Sequence, residues 1–577
     1  MHWGLQKCLG GPSRGLFPAR RTTLIVAAVT ACPIIATAQI APPLIPPAEQ
    51  AGRELQRFED APSPQARPGG PSITLPSTQA PEGAEDIALV IRRVEISGST
   101  VYARSDLEPL YRDLIGRRVP LQAIYELAQR ITARYGNDGY VLSRAIVPVQ
   151  ELDPAGATVR LEIVEGYVSA VEWPREKLAR YQDFFSDYEA AITADRPINV
   201  RTLERYLLLA NDLPGLRFKT ALKAAPRGRG ASILVVEVED KPFDAVARLD
   251  NRGTKARGPY QFLAQGTINN LLGQHEALTL TYAGAPQVRE LQLVAAGFRK
   301  VLNSEGLTLF ADVSYGWGRP GTSVLELLEF KTRSLIVEGG LTYPLIRSRE
   351  RNVNLTALAF MSDSTSDVLG ADYNIDRLRG VRARLETDFA DRFGGINQFN
   401  VTLSQGIDGL GATKNGQIFA SRIAGRTDFT KVEVYASRLQ PLVGGLSALI
   451  AGYGQYSPTA LLVPEQCGYG GRLFGRAFDP SELLGDRCWQ VSAELRYDIA
   501  SSSPQIPHIQ PYFYLDRGQV ATVAPAMGTP GHITAASAGG GVRLSWQNAF
   551  NADLSVMKAV EGPRNDWRFF FVTTARY

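Results

Sequence analysis

The sequence predicts a transmembrane β-barrel of about sixteen antiparallel strands, preceded by two small α/β modules and a Pro-rich arm with one helix. Three observations carry this. Apolar and polar residues alternate with a period of two from about residue 242 to the C-terminus. A β-α-α-β-β pattern occurs twice before that point. After an N-terminal export signal, no apolar run is long enough for a membrane helix.

The N-terminus comes first. Lys7, Arg14, Arg20 and Arg21 precede an apolar run from Leu24 to Ile35, and Ala36-Thr-Ala38 supplies small residues for cleavage. Residues 1–38 are therefore expected to be a signal peptide, cut after Ala38. A lipoprotein site at Cys32 is the rival, disfavoured because Pro33 follows directly. These four cations account for the whole net charge of +4, so no basic excess points to nucleic acid. An exported chain without helical spans is soluble, surface-attached or a barrel.

Residues 39–86 are rich in Pro and Ala and read as linker. The stretch 48–60, AEQAGRELQRFED, has no Pro and mostly good helix formers, with Leu55 and Phe58 on one face.

Residues 87–167 form the first module. Ile91–Ile96 reads as a strand, and Ser105–Leu114 as a helix capped by Ser105 with Glu108 three residues on. Leu121–Tyr135 is a second helix, with Leu121, Ile124, Leu127, Ala128, Ile131 and Tyr135 on one face. Tyr140–Val147 and Thr158–Val164 are strands. Residues 168–241 repeat the order: a strand at Ala170–Trp173, helices at about Lys177–Ala191 and Val200–Asn211, and strands at Arg217–Lys223 and Ser232–Val238. Recurrence at about 75 residues marks two copies of one module.

From 242 to 577 the pattern is strand-like. Val381, Ala383, Leu385, Thr387 and Phe389 alternate with Arg382, Arg384, Glu386 and Asp388. Val491, Ala493, Leu495 and Tyr497 alternate with Gln490, Ser492, Glu494 and Arg496. Full charges of both signs on one face suit a water-filled lumen opposite a lipid-facing band. A closed cylinder also leaves no unpaired sheet edge in lipid. The last strand puts Trp567, Phe569, Phe571 and the terminal Tyr577 on one face, as an assembly signal for such barrels would.

Beyond the signal only Cys467 and Cys488 remain, and an exported pair favours a disulfide over a metal site. Histidines are few and scattered, and no HExxH, GxSxG, Walker or CxxC motif occurs. No cofactor, metal or catalytic group is expected.

Several motifs in this order resemble the transporters of two-partner secretion, the TpsB family that includes haemolysin activator and secretion proteins. They are GYVLSRAIVPVQ from Gly139 to Gln150, VRLEIVEG from Val159 to Gly166, LERYLLLANDLPG from Leu203 to Gly215, and LDNRGT from Leu249 to Thr254. The two modules resemble polypeptide-transport-associated (POTRA) domains. The family's Arg-bearing pore-loop motif is matched by Phe474-Gly475-Arg476-Ala477-Phe478, with Ala477 in place of the usual Gly. Its F-x-D-x-G motif is matched by Tyr514-Leu-Asp516-Arg-Gly518.

The resemblance implies that Arg476, on a loop of about 464–488 folded into the pore, meets Asp516 on the barrel wall. It implies that the 48–60 helix plugs the pore. Cys467 and Cys488 bracket the loop motif, and a disulfide between them, which the family does not generally need, would narrow the loop base. The resemblance places the barrel in the bacterial outer membrane, with both modules in the periplasm. An unfolded partner exoprotein (an adhesin, haemolysin or haem-binding protein) would bind there by strand addition. Candidate contacts are Tyr140, Leu142 and Arg144 beside Ile124, Leu127 and Ile131, and Phe218 beside Leu207. Other expected partners are outer-membrane lipid and, during biogenesis, the barrel assembly machinery; a monomer is expected. A barrel assembly factor of the same superfamily and a passive porin are the alternatives. Two modules rather than three or more, and a plug, favour the transporter.

Overall fold

The structure is a computed structural model that describes residues 45–68, 79–501, 503–525, 529–547 and 549–577. The predicted signal peptide and its cleavage point lie outside the described residues.

In the first module β1 (Ala88–Ser97), α1 (Arg104–Leu107), β2 (Arg118–Pro120), α2 (Gln122–Asn137), β3 (Arg144–Ile146) and β4 (Ala157–Val164) follow in order. The sheet order is β2-β1-β4-β3, with β1 and β4 parallel. The apolar stripe of α2, from Ile124 to Tyr135, is sealed against Ile91, Val94, Val159 and Leu161. The first helix is shorter than predicted and Ser105 is not its cap. After Leu107 the chain makes two 3-10 turns, because Pro109 has no N–H to continue the helix. The predicted strand from Tyr140 shrinks to Arg144–Ile146, since the Ser143 N–H turns back to the Tyr140 carbonyl.

The second module has β5 (Tyr167–Glu172), α3 (Arg175–Leu178), α4 (Phe185–Ala194), α5 (Val200–Asn211), β6 (Leu216–Ala224) and β7 (Ala231–Asp240). Its sheet order is β5-β7-β6, again with first and last strands parallel. The one predicted helix at Lys177–Ala191 is two, α3 and α4. Asn199 caps α5 by accepting the Arg201 N–H.

The barrel opens with β8 (Phe243–Asp250), β9 (Gln261–Asn269), β10 (Glu276–Gly284), β11 (Gln292–Val301), β12 (Thr308–Gly318) and β13 (Lys331–Arg347). It continues with β14 (Arg351–Val368), β15 (Ala371–Ala390), β16 (Ile396–Gly406), β17 (Thr430–Pro441) and β18 (Leu446–Tyr456). After an inserted hairpin, β19 (Cys467–Tyr469) and β20 (Leu483–Gly485), the wall resumes with β21 (Arg487–Tyr497) and its short continuation β22 (Ile499–Ala500). The last strands are β23 (His508–Ala521), β24 (His532–Trp546), β25 (Phe550–Glu561) and β26 (Trp567–Arg576). Sixteen antiparallel strands close, β26 on β8, where the Asn251 side chain also bridges to the backbone of Phe569 and Phe571. Leu278, Leu280 and Tyr282 face outward while Thr279 and Thr281 face the lumen; Val491 and Leu495 face outward while Gln490, Ser492 and Glu494 face in. The period-two pattern thus separates a lipid-facing from a wet surface.

Module 2 docks on the turns at one end of the barrel. Arg347 forms a bidentate pair with Asp212 (2.6 and 2.7 Å), and Arg205 reaches Glu305 at 2.8 Å. The β9–β10 turn inserts His275 among Tyr181, Phe184 and Phe185, its Nε2 2.7 Å from the Gln182 carbonyl oxygen.

The N-terminal arm threads the lumen. Ile45 packs with Ala256, Leu325 and Phe330 in the loops at the far end. At the module end the Ala66 N–H donates to Asp388 (2.6 Å) and the Arg67 N–H to the Arg349 carbonyl. The helix predicted at 48–60 is absent: the arm has two 3-10 turns, Pro47–Glu49 and Leu55–Arg57. The reason lies in its charges, which bind different sides of the lumen. Glu49 accepts from Arg257 (2.9 Å), Glu54 from Ser334 (2.8 Å), and Arg53 donates to the Val463 and Gln466 carbonyls. One amphipathic helical face could not serve all of these.

Candidate functional site

The segment between β18 and β21 folds back into the lumen as the β19–β20 hairpin, whose tip carries Arg476. Tyr469, Phe474, Ala477, Phe478 and Leu483 give it an apolar side that packs on Tyr514, Val520, Ala535, Met557 and Phe570 of the wall. Phe478 meets the Tyr469 ring at a centroid distance of 5.4 Å. Gly475 sits at φ +65°, a conformation that glycine adopts freely, so it makes the turn that Ala477 could not.

The predicted pairing of Arg476 with Asp516 is corrected. The Arg476 guanidinium donates to Glu494 (2.7 Å) and lies 3.8 Å from the Tyr514 ring centroid. Asp516 instead grips the loop backbone: it accepts the N–H groups of Gly475 (3.0 Å) and Arg476 (3.2 Å). It also accepts from Ser537 Oγ (2.6 Å), Ser537 N–H (3.2 Å) and the Tyr469 hydroxyl. A carboxylate already holding five donors has no lone pair left for a guanidinium. Glu494, almost fully buried, is the anion that needs cations, and it takes three: Arg476, Arg496 (2.6 Å) and Arg543 (2.7 Å). Gly518 is needed for a different reason: a Cβ there would come within 2.7 Å of the Tyr469 ring.

Glu494, Arg252 and Asp486 also hold the loop, and sequence reasoning passed over them. Arg252, inside the LDNRGT motif, donates to the Gly471 (3.2 Å) and Arg476 (3.3 Å) carbonyls and lies over Phe570. Asp486, at the loop base, pairs with Arg422 and accepts the Leu461 and Val523 N–H groups. Motif position offered a signal for Arg252, and lumen-facing alternation one for Glu494; none marked Asp486.

Cys467 and Cys488 are bonded across the loop base, their Cα atoms 6.4 Å apart. Of the arm residues, Phe58 is buried against Ala283, Leu291 and Leu293, and Leu55 is half-buried beside it.

The module residues sort into two groups. Ile124, Leu127 and Ile131 are wholly buried core, so they are not open to a client. Leu142 is buried in the core of module 2 and Tyr140 packs on Tyr135, which makes both of them junction residues. Phe218 is core, with Leu207 half-buried against it. Arg144 lies half-buried on β3, at a sheet edge. At the C-terminus Phe569 and Tyr577 are exposed on the outer face, with Phe571 half-buried between them.

Comparison with known proteins agrees with this architecture. Residues 89–166 match the family model of the ShlB-type POTRA domain, and residues 328–544 that of the haemolysin secretion/activation protein ShlB/FhaC/HecB. The chain is 23% identical over 432 residues to the outer membrane transporter CdiB of Dickeya dadantii (strain 3937), covering 71% of this chain and 73% of that one. It is 24% identical over 229 residues to the heme/hemopexin transporter protein HuxB of Haemophilus influenzae (strain 86-028NP), covering 39% and 40%. The solved structure of CdiB from Escherichia coli shares the fold, with a TM-score of 0.66 at 18% identity over 87% of this chain and 94% of that one. Residues 89–166 and 328–544 thus resemble the domains of the haemolysin secretion/activation proteins, and the relatives matched here are outer-membrane transporters.

Proposed function

We propose that this transporter receives an unfolded partner exoprotein in the periplasm and passes it to the cell surface through a pore closed at rest by the Arg476 loop and the N-terminal arm. The observation that carries the reading is the occupied lumen. The loop tip rests on Glu494 and Asp516, and the arm runs from the far loops to the module end. A passive solute channel has no use for either element or for two docking modules.

Client entry would use the open sheet edges, β3 in module 1 and β6 in module 2, because main-chain pairing tolerates any sequence. Adhesin, haemolysin and haem-binding exoproteins all fit this chemistry, and the transporter acts as a monomer. The exterior offers no nucleotide, so folding of the client outside would pull the chain through.

The test is secretion of a candidate exoprotein co-expressed with this chain. Arg476→Ala should lower it while the barrel still inserts in the membrane. Wild-type secretion by that variant would refute the lock.

A further inference from the structure

The two elements that fill the lumen differ in how they are held. The hairpin arms, Cys467–Tyr469 and Leu483–Gly485, are paired to each other, and Arg487 begins the wall directly after them. Cys488 is a lumen-facing wall residue of β21, and its bond to Cys467 ties the incoming arm to the wall. Residues 467–488 thus form one covalent ring with the Arg476 tip inside it. The tip is also fully satisfied, with five donors on Asp516, three cations on Glu494 and an apolar side against β23–β26.

The arm has no covalent tie; it is held by side-chain bonds such as Arg257 to Glu49, Arg248 to Asp60, and Arg53 to the Val463 and Gln466 carbonyls. Its apolar contacts are two small clusters, Ile45 on Ala256, Leu325 and Phe330, and Phe58 on Ala283, Leu291 and Leu293. Its buried polar atoms are poorly served: Gln50 Oε1, Arg53 Nε and Arg57 Nη1 have no hydrogen-bond partner. Such orphaned groups penalise the docked state. Beside the arm lies a cavity of about 560 Å³, lined by Thr279, Thr281, Asp312, Ser314, Glu338 and Arg382 among others.

We infer that Cys467–Cys488 is a staple that makes the pore loop a fixed part of the wall, so that, of the two described elements in the lumen, the arm is the gate. Departure of the arm opens the pore, and the loop tip stays on Glu494 and Asp516 while the client passes. The oxidising compartments on both sides of the outer membrane keep the bond closed. This inference rests on the transport reading above, and its test separates the two.

The full chain, purified from outer membranes, is first treated with a maleimide mass tag under denaturing, non-reducing conditions. No tag on Cys467 or Cys488 is expected, and two tags overturn the staple. Single-channel conductance is then recorded in planar phospholipid bilayers for a variant lacking residues 45–60, checked for folding by its migration on unheated gels. A full-length Arg53→Ala/Arg57→Ala variant serves as a second route to a loosened arm. Oxidised protein should show one steady open level, reached continuously without the arm and in bursts in the point variant. Dithiothreitol, or Cys467→Ser/Cys488→Ser, should add a second, larger level as the loop becomes free to leave. If the oxidised protein already visits both levels, or breaking the bond changes nothing, the staple is overturned. Absence of any conductance from folded barrels refutes the pore itself rather than the staple.

Discussion

At the scale of single residues, the lock divides its work between two carboxylates. Asp516 holds the loop by its peptide groups and Glu494 by its charged tip. This division predicts a particular pattern of coupling. Arg476→Ala keeps the N–H that Asp516 grips but removes the cation from Glu494. Arg476→Ala and Glu494→Ala should therefore couple strongly, within the range of about 0.5–3 kcal/mol for contacting pairs. Arg476→Ala and Asp516→Ala should be close to additive. The urea midpoint of the detergent-folded barrel measures both cycles, and equal coupling in the two would contradict the assignment. Breaking a dry buried pair costs about 3–5 kcal/mol, and lumen water reduces it. Gly518→Ala pushes a methyl into the Tyr469 ring and should cost about 1–3 kcal/mol, read by the same midpoint. The motif made both Arg476 and Asp516 legible in the sequence, but not their partners. A motif names residues that matter to one site, whereas pairing depends on strand register: Ser492, not Glu494, lies opposite Asp516.

At the scale of elements, sequence reading succeeded where one periodicity decided the outcome. Helix α2 and the barrel strands have long patterns and a single solvent on each face. It failed in the arm, whose composition favours a helix but whose charged side chains are claimed by different walls of the lumen. It failed for β3 as well, because Leu142 is drawn into the neighbouring module instead of continuing the strand. The docking of module 2 carries its own prediction. Burial pushes the His275 imidazole below its ordinary range, and its Nδ1 has no partner. The docked state therefore binds fewer protons than the undocked one. Docking is full above the ordinary histidine value of about 6.5 and weakens as pH falls below it. Hydrogen-exchange protection across residues 180–185 and 270–276, corrected for the intrinsic slowing of amide exchange at low pH, should fall on acidification in the wild-type protein but not in His275→Phe. An unchanged wild-type profile would rule the coupling out.

At the scale of the whole molecule, the physics is that of two solvents. Lipid outside requires a closed ring of paired backbone, and water inside permits the charges that hold loop and arm. The barrel was legible because lipid exposes its rule along every strand; the filling of the lumen was not, because its contacts join residues hundreds of positions apart, as Arg53 joins Gln466. The central claim is that this filled cylinder exports a partner protein. The most direct measurement places the chain and a candidate partner exoprotein together in a bacterium lacking both and follows the exoprotein by protease added outside intact cells. The account predicts that the exoprotein becomes cleavable from outside only when this chain is present, and that Glu494→Ala sharply reduces the cleavable fraction. Exoprotein that reaches the surface equally well without the chain would contradict it.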